Sequence, residues 1–151
     1  MIKRFLQTLK LIHIFLVTGL TLFSFIAFVQ NNGFNADINT NSTLLYLVPA
    51  VALLGYFGSQ ILFNKMISKV LESDALQVKL NHYQTASIIK YALIEAPTII
   101  ALFVYYATGN ALPLVIALCL LAYLFVQRPT KEKIIASLPL NPEERRAVYD
   151  N

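Results

Sequence analysis

Few residues in this sequence can do chemistry, and Glu95 stands apart because it lies inside an apolar run, residues 85–107, "TASIIKYALIEAPTIIALFVYYA". A carboxylate in such a setting has two uses: it can carry a proton, or it can hydrogen-bond one helix to another. Held as a charge in hydrocarbon it costs about 2.5–3.5 kcal/mol on insertion scales, so it must be neutral, paired or facing a wet cavity. Ser87, Tyr91, Glu95, Thr98, Leu102 and Tyr105 recur every three or four residues, which stacks them on one helix face. Tyr91 and Thr98 thereby bracket Glu95 with hydroxyls. Pro97 has no amide to give the carbonyl of Leu93, so a kink and a free acceptor are expected one turn away. That face should meet protein rather than lipid.

Partners for Glu95 are available on two other runs. Residues 9–29 carry Lys10, His13, Val17, Thr21 and Ser24 at helical spacing. His13 falls nearer the start of its run than Glu95 does, and it reads either as a relay partner or as an interfacial, hydrogen-bonded histidine. Residues 43–63 carry Gln60 near their end and a small-residue face of Ala52, Gly55 and Ser59 that permits close helix approach. The candidates for ion or proton handling are therefore Glu95, Tyr91, Thr98, His13 and Gln60. No catalytic residues are expected. The chain has two His and one Cys, and it lacks a Gly-rich phosphate loop, a zinc-ligand spacing and a nucleophile set. No cofactor or metal is implied. Cys119, in an apolar run, reads as a small buried hydrophobe.

The elements that must position these residues follow from composition. Of the 151 residues 57% are hydrophobic and 13% charged, about half the charged share of a soluble domain. A chain of this size cannot hide that much apolar surface in a water-soluble core. The bilayer is the expected solvent, and in lipid the backbone must satisfy itself, which makes the apolar runs helices. Four are expected, at about residues 9–29, 43–63, 85–107 and 111–126, where about 20 residues cross the hydrocarbon. The fourth is short and needs Gln127 and the adjoining turn to complete it. The first follows a basic start, but it is too long for a signal h-region and ends in bulky residues, so it is kept as a span. The expected fold is an all-α integral membrane protein of four transmembrane helices in a single membrane domain, residues 1–151.

Basic residues set the orientation. Lys3, Arg4 and Lys10 precede the first run, Lys65, Lys69 and Lys79 lie between the second and third, and five more follow the fourth. Lys90 lies near the start of the third, from where it can snorkel. The connections "QNNGFNADINTNS" and "TGN" carry no basic residue. Both termini are therefore expected in the cytoplasm. The "TGN" turn forces an antiparallel hairpin. The Asn-rich connection is expected to be an external loop, with an N-x-S/T triplet at Asn41. Residues 64–84 should extend the second and third helices as an amphipathic cytoplasmic stalk. Residues 127–151 should form two short amphipathic cytoplasmic helices capped by Thr130 and by Asn141, the second with Pro142 first and Glu143 and Glu144 facing the dipole, and reading as a solvated tail.

The segment "ALIEAPTIIALFVYYA", residues 92–107, resembles the proton-carrying helix of rotary ATP synthase c subunits, the proteolipid family. The resemblance extends to the hairpin of the second and third helices around a polar cytoplasmic loop. It implies that Glu95 is a protonatable carrier within an oligomer, with Gln60 on the preceding helix. Ala96 occupies the position that is Ser or Thr in sodium-binding members, which disfavours sodium, and Gly55 and Gly58 are all that answers to the family's repeated glycines. The expected function is a non-catalytic subunit or scaffold of a membrane complex, with Glu95 as an interhelical contact. The alternative is an oligomeric proton or ion conduit. The expected partners are the lipid bilayer and a homo-oligomer or larger membrane complex, with no nucleic acid, since the basic balance is explained by topology. The composition suits a bacterial cytoplasmic membrane.

Overall fold

A computed structural model describes residues 2–31 and 43–150. The expected external loop and the Asn41 triplet lie outside the described residues. The described residues form six helices and no strand: α1 (Ile2–Gln30), α2 (Thr43–Ile67), α3 (Leu76–Thr108), α4 (Ala111–Val126), α5 (Lys131–Ser137) and α6 (Pro142–Asp150). Three of these, α1, α2 and α3, are long and apolar enough to cross a membrane. A fourth span exists if α4 and α5, which meet at 86°, count as one bent element. At 16 residues α4 is only about 24 Å long. Gln127 does not prolong it; the chain breaks at residues 127–130 and turns across the bundle end instead.

The central element is α3, which packs against α1, α2 and α4, while α1 and α2 lie on opposite sides of the α3–α4 pair. Contacts at both ends fix the directions. Phe23 of α1 meets Phe103 of α3 edge-on at 5.2 Å, and Asn31 Nδ2 donates to the Tyr105 carbonyl at 2.9 Å. At the other end, where most basic residues gather, Phe63 of α2 meets Tyr83 of α3 at 5.9 Å. The helices thus run up, down, up, down.

The α3–α4 turn is two residues long because each has a specific fitness for it. Gly109 takes the left-handed conformation (φ 66°), open to a residue without Cβ, and donates to the Tyr105 carbonyl at 2.8 Å. Asn110 then caps α4, its side-chain oxygen accepting from the Leu112 amide at 2.9 Å. The core runs along the axis through Leu20, Val48, Ile94, Ala101, Leu102, Tyr105, Ala117 and Leu124. Outward faces of the same helices expose large apolar residues, among them Phe15, Phe25, Leu54, Phe57 and Phe103. In lipid that surface is ordinary; in water it would drive aggregation.

The stalk is a break at residues 68–75 followed by an α3 that begins at Leu76, nine residues before the expected span. The tail differs more from expectation. Ile134, Leu138, Leu140 and Val148 are all buried in the same core, so α5 and α6 are folded onto the bundle rather than solvated. Thr130 and Asn141 do cap these helices, accepting from the amides of Lys133 at 3.3 Å and Glu144 at 2.8 Å.

Candidate functional site

The polar stripe of α3 is buried where it was expected to be, at Ser87, Tyr91, Thr98, Leu102 and Tyr105. Glu95 is the exception. It sits at the edge of the stripe, half-buried, and makes no hydrogen bond or ion pair with a described residue. Thr98 does not serve it, because its hydroxyl donates to the Ile94 carbonyl one turn back at 2.7 Å. Beside Glu95 the outward strip of α3 exposes Ala92 and Ala96, four residues apart, and continues through Ile100 and Phe103. A small-x-x-x-small pair next to a carboxylate is the surface on which helices approach one another in lipid.

The other side of this turn is closed by α2. A Cβ added to Gly55 would come within 2.5 Å of the Leu93 carbonyl oxygen and closer still to the Pro97 ring. The carbonyl that Pro97 leaves without a donor therefore faces a residue of α2 with no side chain, and backbone meets backbone. Pro97 stays inside a continuous α3.

His13 and Tyr91 come together, though not on Glu95. The ring of His13 meets that of Tyr91 edge-on at 5.2 Å, and its Nε2 lies 2.7 Å from the Leu124 carbonyl. A carbonyl only accepts, so Nε2 carries the proton. Tyr91 donates to the Gln127 carbonyl at 3.2 Å. Lys90, expected to snorkel, donates to Gln127 Oε1 at 2.9 Å and lies 4.8 Å over the Phe63 ring. Lys133 Nζ reaches the carbonyls of Val126 at 2.6 Å and Arg128 at 3.1 Å. The last carbonyls of a helix have no partner within it. His13, Tyr91 and Lys133 together supply donors to the end of α4 and hold the corner where the chain turns 86° into α5. Gln60 is elsewhere again, donating to the Tyr123 hydroxyl at 3.2 Å. The five candidates are thus divided among three places, and no His–Glu relay is formed. Cys119, expected buried, is exposed on an apolar groove between α2 and α4.

One polar site was not anticipated. Lys79 is wholly buried at the start of α3, and its Nζ donates at 2.8 Å to both Glu144 Oε2 of α6 and the Glu72 carbonyl. The same carboxylate oxygen accepts from the Asn141 amide at 2.9 Å, completing a capping box. Burial pushes the Glu144 carboxyl up, but the bonds from Lys79 and Asn141 and the lysine's charge outweigh it and hold the group below its ordinary value. The available signal was Asn141 and Glu144 at capping-box spacing; nothing in the sequence pointed that carboxylate at Lys79.

No group of three or more His, Cys, Asp or Glu able to hold a metal occurs among the described residues. Fold and site define an all-α protein with three to four helices long and apolar enough to cross a membrane. Comparison with protein-family models, curated proteins and solved structures finds no match to this chain.

Proposed function

We propose that this chain is a non-catalytic subunit of a membrane complex, with four spans and both termini in the cytoplasm, and that it receives a partner helix on the Glu95 strip of α3. The observation that carries the reading is a half-buried carboxylate with no partner in its own chain, flanked by the exposed small residues Ala92 and Ala96. The other candidate side chains His13, Gln60 and Thr98 are satisfied internally. In lipid an unsatisfied carboxyl is costly, so a donor from a second helix, of this chain or another, is the natural complement. The orientation rests on the basic residues, which sit at the end of the bundle where α1 and α3 begin.

The same carboxyl supports the second reading, a proton carrier in an oligomer, because a carrier must also lack a permanent partner. The two diverge under substitution. Glu95→Gln keeps a hydrogen-bonding group and should leave the mass of the complex in mild detergent unchanged, whereas Glu95→Leu should release the subunit. A complex that is intact with Leu and an ion flux abolished by Gln would overturn the subunit reading in favour of the carrier.

A further inference from the structure

We propose that the corner between α1 and the α4–α5 turn binds the phosphate headgroup of an anionic phospholipid. A cavity of about 390 Å³ opens there, within the range of about 300–1,000 Å³ usual for ligand pockets. Its lining combines two chemistries: the cations Lys10 and Arg128, nearer the bundle end, and the apolar Ile14, Val17 and Phe125, deeper along α1 and α4, with His13 also in the lining. Ile14 and Phe125 are themselves exposed, on the surface that would face acyl chains. A lipid is the ligand with both properties: a phosphate for the cations and a hydrocarbon tail for the wall.

The cations are uncommitted. Lys79, Lys90 and Lys133 each donate to acceptors of the fold, but neither Lys10 nor Arg128 makes a side-chain hydrogen bond or ion pair with a described residue. An adjoining cavity of about 240 Å³ shares Lys10 and adds Lys3 and Lys131. Four positive charges therefore border this corner. The acid nearby is Glu132, fully exposed in the first turn of α5 and acting on Lys10 and Lys131 from outside both cavities. The corner itself is rigidly built, since His13 ties α1 to the Leu124 carbonyl and Thr130 caps α5. His13 thereby both holds the corner and lines the cavity. Basic pockets between helices at a cytoplasmic boundary are suited to anionic headgroups.

The proposal rests on the chain spanning a membrane with this end at one interface, which resistance to alkaline carbonate extraction tests separately. Purified protein is titrated with dioleoylphosphatidylglycerol or dioleoylphosphatidylcholine and read by native mass spectrometry. The wild type should retain the glycerol lipid in preference to the choline lipid. The double variant Lys10→Gln/Arg128→Gln should weaken that retention about 30-fold, at about fivefold per cation. Lys65→Gln/Lys69→Gln, exposed and outside the cavity, removes the same charge and should leave it within about twofold of wild type. The single variants Lys10→Gln and Arg128→Gln serve if the double fails to fold. Equal losses in the two doubles, equal retention of the two lipids, or displacement of the lipid by millimolar inorganic phosphate would each overturn the headgroup site. Release by carbonate would overturn the spanning reading with it.

Discussion

Lys79 and Glu95 lie on the same helix, sixteen positions apart, and the chain treats them in opposite ways. Lys79 is removed from water completely, and for it the protein provides a carboxylate, a backbone carbonyl and a capping box that fixes the carboxylate. Glu95 is removed from water only in part, and for it the described residues provide nothing. An ionisable group is tolerable off water when it is paired, neutral or completed by something else. The contrast identifies the base of α3 as a finished internal joint and its middle as an unfinished one. The finished joint orients the tail. The unfinished one is where the proposed partner helix would supply the missing donor.

Substitutions can break this contrast from either side. Lys79→Met should have the largest effect, because it strands Glu144 against α3 and removes a buried pair. The loss is about 3 kcal/mol, the lower end for such pairs because Glu144 keeps some contact with water. It should be read as a fall in thermal midpoint and as faster tryptic cleavage after Arg145 and Arg146. Gly55→Ala follows at about 2 kcal/mol, since the added methyl must displace the Pro97 ring and the Leu93 carbonyl. Its thermal midpoint in detergent should drop while the tail stays protected, which separates damage at the middle of α3 from damage at its base.

Acid should undo the base alone. The Glu144 carboxyl is held below its ordinary value in the folded chain, so its contribution is fully present above the unfolded value, about 4.5. It is lost as pH falls through the lower folded value. Tryptic sensitivity is unsuitable there, so hydrogen exchange of α6 is the measurement, with protection expected at neutral pH and lost progressively in acid. Smallest is the effect of Glu95→Gln on the isolated chain, within about 0.5 kcal/mol, as for a surface change that breaks no contact. A large loss in the purified monomer would mean that Glu95 is an internal contact, and the contrast with Lys79 would collapse.

The apolar runs and turn residues made the helices legible from sequence, because the period of the pattern and the demands of Gly109 and Asn110 are local. The caps Thr130 and Asn141 were legible for the same reason. What the sequence hid depends on which surfaces meet. Leu138, Leu140 and Val148 look like sparse apolar residues in a charged tail, and only their burial shows the tail to be docked. Gly55 read as one member of a small face; that it opposes the carbonyl freed by Pro97 depends on the register of α2 against α3. Likewise, helical spacing put Tyr91, Glu95 and Thr98 on one face, but a face is wide. A turn of half a residue separates a hydroxyl in the core from a carboxylate at the edge.

Hydrophobic carbodiimide labelling of Glu95, in native membranes and again after separation in detergent, tests the central claim most directly, since the reagent attacks protonated carboxyls that lipid can reach. If a partner helix completes the site, Glu95 is protected in the membrane and becomes reactive once the subunit is alone. Labelling in intact native membranes that fades as pH rises would contradict this, showing an open, titrating acid and a proton carrier in place of a docking strip.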